Sequence, residues 1–173
     1  MKWLLILGVV VAVIAALAGV IALIGSRLPR AHVASRAAQV TAAPDAVWQA
    51  ITDVDAFPAW RSDVSRVERL PDRAGKPAWV EHGRNGRIPF TVERAEPPRV
   101  LVTRIADPDL PFGGTWTYEI APAPAGSTVT ITEAGEIYNP VFRFMARFVF
   151  GYEATMAGYL AALEKKFAAA SGR

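Results

Sequence analysis

The sequence predicts an α+β domain in which a curved antiparallel sheet of about seven strands grips a long C-terminal helix, preceded by one transmembrane helix. Three observations predict it. An unbroken apolar run opens the chain, period-two runs fill its middle, and three-and-four spacing of apolar residues closes it.

Trp3 to Ile24 contains 22 residues, 20 apolar and two glycine, with no charge. As a helix it would extend about 33 Å at 1.5 Å per residue, enough to cross a hydrocarbon core of about 30 Å. Residues 1–26 are therefore read as an anchor that contacts the bilayer through residues 3–24. The same Met1-Lys2 opening would suit a cleaved secretory signal, but such signals have apolar stretches of only about 7 to 15 residues. Small residues from Ala12 to Gly19 keep cleavage open as the alternative. Arg27, Arg30 and Arg36 outnumber Lys2, which favours a single-pass protein of the cell membrane with its domain on the cytoplasmic side.

Residues 27–31 form a linker in which Pro29 prevents the helix from continuing. The globular domain is read as 32–170. His32 to Thr41 alternates as a strand, and Pro44 falls in the first turn of a helix whose Val47, Trp48 and Ile51 share a face. A second short helix spans Asp53 to Trp60, with Phe57 and Trp60 packing inward. Six strands follow between Val64 and Tyr138, separated by turns such as Asn85-Gly86 and Gly113-Gly114. After Asn139-Pro140 the spacing of Met145, Phe148, Tyr152, Met156, Tyr159, Leu160, Leu163 and Phe167 predicts one long amphipathic helix. A curved sheet and one helix leave space between them, so a cavity is expected.

Composition removes several classes of function. The absence of cysteine excludes disulfides, thiolate metal sites and a cysteine nucleophile, and two histidines are too few for a histidine-rich metal cluster. No metal site and no cofactor are expected. The net charge of +3 arises from interspersed charges with no block that would follow a phosphate backbone, so nucleic acid is not an expected partner. Phosphate-cradling loops, dinucleotide fingerprints and nucleophile elbows are absent from the sequence.

Pro44-Asp-Ala-Val-Trp-Gln-Ala-Ile-Thr-Asp, then Phe57-Pro-Ala-Trp-Arg-Ser-Asp-Val, then Val67-Glu-Arg-Leu resemble the opening of START-like (SRPBCC) proteins. Thr132-Glu-Ala-Gly-Glu-Ile-Tyr-Asn-Pro and the aromatic-rich helix after it resemble the ending of their polyketide cyclase/dehydrase and lipid transport branch. The resemblance covers His32 to Phe167. It implies a helix-grip fold with a deep apolar pocket for lipids, sterols, polyketides or hormones, but no single reaction, because the branch has no shared catalytic motif.

Strand alternation supplies the pocket candidates. Glu133 shares a face with Val129 and Ile131 and would point toward the final helix. Buried alone, such a carboxyl is driven toward its neutral form and becomes a proton donor; alternatively it pairs with an arginine. Arg104, on the face of Val100 and Val102, is the expected partner, or else a clamp for a ligand carboxylate or phosphate. Trp116 and Tyr118 share a face, and Tyr118 either offers its phenol to the cavity or fills the core. Alternation leaves open whether Trp79 and Glu81 or Val80 and His82 face inward; the turn beside His82 favours solvent. Tyr152 and Met156 contribute from the helix, His32 is placed at the interface beside the anchor, and the loop from Asp107 to Gly114 could gate the mouth. Arg143 and Arg147 among phenylalanines suit either lipid headgroups or an ordinary packed helix.

The expected function is membrane-anchored binding or transfer of a hydrophobic small molecule, such as a lipid, isoprenoid or polyketide-like compound. A cofactor-free cyclase or dehydratase is the catalytic alternative, with Glu133 or His82 moving protons. A filled-core module assisting a membrane complex is the third. No feature identifies a protein partner.

Overall fold

The computed structural model describes residues 2–171. Helix α1 (Lys2–Arg27) is apolar and long enough to cross a membrane, and the hydrophobic side chains along it are exposed rather than packed on the domain. Strand β1 (Ala31–Val40) leads to α2 (Pro44–Thr52), a 3-10 turn (Val54–Ala56) and the single-turn α3 (Phe57–Trp60). Pro44 and Pro58 sit in the first turns of their helices, where the missing N–H has no intrahelical partner to lose.

Six further strands follow: β2 (Val64–Arg73), β3 (Lys76–Gly83), β4 (Gly86–Glu96), β5 (Val100–Ile105), β6 (Phe112–Ala123) and β7 (Gly126–Ile137). All seven form one antiparallel sheet in the order β1-β7-β6-β5-β4-β3-β2. The chain-first strand therefore closes against the chain-last one. Gly126 makes this closure possible: its φ is +137°, and a Cβ would stand 2.2 Å from the Val40 carbonyl oxygen.

The segment after Asn139 departs from the predicted single helix. Helix α4 (Pro140–Met145), capped by the Asn139 side chain on the N–H groups of Val141 and Phe142, passes into a π-helical turn (Ala146–Phe150). Gly151, at φ +76°, ends that run, and α5 (Ala154–Ser171) starts afresh. Apolar spacing of three and four is compatible with one helix or with two successive ones, so it does not reveal the break. Only α5 lies in the grip of the sheet. Helix α4 packs on the end of α1, where the buried Arg143 donates from Nε to the Gly25 carbonyl at 2.9 Å.

The main core joins α2 and α5 to the sheet through Val47, Ile51, Leu101, Ile120, Val129, Ile131, Met156, Leu160 and Leu163. A smaller core unites Val54, Phe57, Val64 and Trp79 beneath α3. Met156, named from sequence as a pocket residue, has no exposed surface. Met156→Ala should lower the unfolding free energy by about 2–5 kcal/mol through lost burial and a residual cavity. Urea denaturation in detergent followed by tryptophan fluorescence measures this, and a change under about 1 kcal/mol would show that the site is already loosely packed.

Candidate functional site on the concave face

Cross-strand register decides which side chains enter the grip. Thr103 lies opposite Trp116, Leu101 opposite Tyr118, Tyr118 opposite Ile131, and Trp116 opposite Glu133. Partners in register share a face. Trp116, Tyr118 and Glu133 are consequently on the concave side, as their alternation predicts.

Arg104 is not. Its alternation with Val100 and Val102 is correct, but those residues occupy the outer face, because Leu101 and Thr103 are the buried ones. The expected Arg104–Glu133 pair does not form, and Arg104 instead pairs with Glu93 outside the sheet. A run whose two faces are both apolar carries no signal for this choice.

The ambiguity on β3 resolves in favour of Trp79 and Glu81. Trp79 is buried, stacks on Phe90 and donates its indole N–H to Glu81 at 3.2 Å. His82 points outward, with Nε2 3.2 Å from Glu68 and 3.0 Å from an Arg66 nitrogen. It cannot form an internal proton-transfer pair with Glu133 in this arrangement.

Two polar centres occupy the grip. The first is built on Arg61, only 8% exposed, which the C-terminal end of α3 aims into the fold. Its guanidinium meets Asp63 at 2.7 Å and Glu81 at 3.0 Å, and lies 4.9 Å from the ring centroids of both Phe57 and Tyr159. Burial opposes the guanidinium charge, but Glu81 and Asp63 outweigh that effect and raise its pKa above the ordinary value. Burial also opposes the Asp63 charge, yet the hydrogen bond and charge of Arg61 hold its carboxyl below the usual range.

Beside this pair, Tyr118 and Tyr159 face one another with ring centroids 5.5 Å apart. Burial pushes both phenols up, so each remains a neutral O–H donor. Tyr118 interacts with the Thr103 hydroxyl and with Tyr159, but the approach of the two phenols falls short of a formed hydrogen bond. The Tyr159 oxygen and the Trp60 indole N–H are therefore buried without a formed partner.

The second centre joins β1, β7 and Tyr152, which lies in the short non-helical segment before α5 rather than on the helix its spacing predicts. His32 lies opposite Gly135 in register, its Nε2 is 3.4 Å from Glu133 Oε1, and its ring stacks on Tyr152 at 4.2 Å. Gly135 is required by this approach, since a Cβ there would stand 2.4 Å from the imidazole. His32 Nδ1 is buried without a hydrogen bond. Side-chain exposures of 11% for His32 and 21% for Glu133 place the pair at the rim rather than the floor.

Five residues of these centres carry roles that the sequence reading did not give them: Arg61, Asp63, Glu81, Tyr159 and His32. Tyr159 reads as one more apolar position on a helix, and His32 as a residue beside the anchor. Arg61 and Asp63 flank Ser62 directly after a buried aromatic turn, which was the available signal. Trp116 packs on both Tyr118 and Tyr159, so aromatic rings occupy the space where a cavity is expected. A cavity of about 150 Å³ instead lies between the end of α2 and strands β3 to β5, lined by Ile51, Val54, Trp79, Val92 and Leu101. An open groove of about 580 Å³ separates α2 from the end of α5. Among the described residues no cluster of three metal-ligating side chains is present.

Residues 31–168 match the family described as polyketide cyclase / dehydrase and lipid transport. No match is found among curated proteins. Solved structures share the fold. The di-domain ARO/CYC StfQ from the steffimycin biosynthetic pathway superposes with a TM-score of 0.65 at 16% identity, over 83% of this chain and 53% of that one. This chain thus spans about half its length. A START superfamily protein from Mycobacterium smegmatis gives 0.64 at 17% identity, covering 79% of this chain and 97% of the other. The Zhui aromatase/cyclase from Streptomyces sp. R1128 gives 0.63 at 15%, covering 80% and 94%.

Two tests follow from the Arg61 centre. Arg61→Met leaves Glu81 buried without its partner and should cost about 3–5 kcal/mol, most of which Arg61→Met with Glu81→Leu should restore. Equal destabilisation by the single and double changes, measured by denaturant unfolding, would show that the charges do not act as a pair. A depressed carboxyl stabilises the fold above its unfolded pKa of about 3.9, and this contribution is lost as pH falls through the folded value. Acid unfolding should therefore begin below about pH 4, and Asp63→Asn should flatten it; an unchanged acid limb in Asp63→Asn would remove Asp63 from the cause.

Proposed function

Because this chain belongs to the polyketide cyclase/dehydrase and lipid transport family, we propose that it binds a hydrophobic small molecule between the concave sheet face and α5, with α1 anchoring the domain in a membrane. One observation carries the reading. Three buried side-chain polar atoms without hydrogen bonds, on His32, Trp60 and Tyr159, all belong to the aromatic and polar side chains of the grip. Buried polar atoms in native proteins are overwhelmingly paired, so these unpaired ones are suited to a ligand that supplies their partners.

Aromatic and aliphatic side chains provide the affinity. Tyr159, Trp60 and the His32–Glu133 pair orient a polar head, while Trp116, Tyr152 and Trp79 contact apolar parts. Arg61 is already committed to Glu81 and Asp63 and serves to hold the floor. The Trp116, Tyr118 and Tyr159 rings pack together between the sheet and α5, so uptake there of a lipid-sized molecule, which needs roughly 300–1,000 Å³, requires the Trp116 and Tyr159 rings to yield. The excess of arginine after α1 over Lys2 before it supports a cytoplasmic side for the domain.

The His32–Glu133 contact favours a second reading, a cofactor-free cyclase or dehydratase in which this pair moves a proton and a phenol stabilises developing negative charge. The close aromatic filling favours the third, an interaction module.

Mass spectrometry of small molecules retained by the full chain in mild detergent separates these readings. The expected result is one lipophilic class with a polar head, reduced about tenfold by Tyr159→Phe and by Glu133→Ala. Tyr159→Phe deletes an unpaired buried hydroxyl, so its folding stability should hold or rise while retention falls. Full retention by both variants would overturn the assigned polar contacts, and no uptake of any lipophilic probe by the wild type would overturn binding itself.

A further inference from the structure

We propose that the α4 and π-helical segment, residues 140–150, is a second membrane element that lies flat on the bilayer surface beside α1 and recognises anionic headgroups. The inference rests on the reading of α1 as a membrane span. Outside α1, every exposed large hydrophobic side chain among the described residues is Val33 or falls between Tyr138 and Phe150. Phe148, Val149 and Phe150 form a consecutive run with 58%, 57% and 65% of their surfaces exposed. Contiguous apolar exposure of this kind marks a contact surface.

Tertiary contacts say what covers it. Pro140 packs so closely on Gly25 that a Cβ there would fall 1.9 Å from the Pro140 oxygen, and Arg143 is spent on the carbonyls of Gly25 and Ile137. Gly25 lies one residue beyond the apolar run that ends at Ile24. A span of about 33 Å fills the hydrocarbon core, which puts Gly25 at the water boundary and holds the segment at that same depth. The apolar surface is thus held next to the end of the span.

Charge completes the match. Residues 2–44 and 137–152 contain no Asp or Glu, whereas Arg27, Arg30 and Arg147 are exposed within them. A segment with aromatic residues, an exposed arginine and no acid fits the headgroup boundary, where interfacial helices bury their apolar face about 5–10 Å deep. The segment runs through Gly151 directly into Tyr152, which stacks on His32. Bilayer contact therefore places the rim of the candidate site against the source of a lipophilic ligand.

The chain contains no cysteine, so single cysteines can be labelled with an environment-sensitive fluorophore in the full protein. Leu17→Cys reports the middle of α1, Val149→Cys the π-helical turn, and Ala125→Cys the exposed β6–β7 turn. The 12-residue β7 separates Ala125 from Ile137 by about 40 Å. In vesicles of phosphatidylcholine and phosphatidylglycerol, label at position 149 should shift to the blue and be quenched by headgroup-proximal nitroxide lipids. Label at 17 should be quenched only by chain-end nitroxides, and label at 125 by neither. Adding Arg147→Glu should reduce the shift at 149 in anionic vesicles and leave it unchanged in pure phosphatidylcholine. A water-like signal at 149 with an embedded 17 overturns surface docking and leaves the anchor standing, whereas a water-like signal at 17 overturns both.

Discussion

A buried cation holds the centre of this fold. The Arg61 guanidinium bridges Asp63 next to α3, Glu81 on β3 and the aromatic faces of Phe57 and Tyr159, so that one side chain ties the small core to the sheet and to α5. A charge removed from water is tolerated only where such partners satisfy it, and each partner is fixed in turn by its own element. Glu81 also accepts the Trp79 indole N–H, and Tyr159 contacts Trp60, Trp116 and Tyr118. Moving any one of these elements would leave the guanidinium partly unpaired in the interior, which makes their mutual placement a shared constraint.

The rim is organised differently from this floor. His32, Glu133 and Tyr152 come from the first strand, the last strand and the segment just before the final helix, and the first two meet only because β1 closes against β7. Gly126 and Gly135 supply the two close approaches in that closure, one against backbone and one against the imidazole. Floor and rim are bridged by Trp116, which pairs in register with Glu133 and packs on Tyr159. The floor carries the Arg61 ion pairs with the unpaired Tyr159 hydroxyl beside them; the rim carries the unpaired His32 nitrogen and lies near Gly151, whose φ is +76°.

Much of this arrangement was legible in the residues, for identifiable reasons. Period-two runs and turn dipeptides marked the strands, and alternation grouped Trp116 with Tyr118 and set Glu133 among the apolar residues of β7; register between β6 and β7 put the two groups on one face. Arg104 failed because both faces of β5 are apolar around it, so that only pairing with β6 chooses between them. Arg61 was hidden for a related reason: a lone arginine after a short helix looks solvated until Glu81, twenty residues on, is brought to it by the β2–β3 hairpin.

By itself the sequence determined what depends on near neighbours along the chain: the apolar N-terminal helix, the alternating strands and their turns, and the amphipathic spacing after Asn139-Pro140. Tertiary structure alone decided what depends on distant pairing. It set which strand face is concave, turned one expected helix into a surface segment and a gripped one at Gly151, and locked the first of these to the end of α1 through Arg143 and Gly25. Periodicity encodes that a side chain has an apolar side to hide on, whereas the identity of what hides it is fixed only when sheet register and helix packing close together.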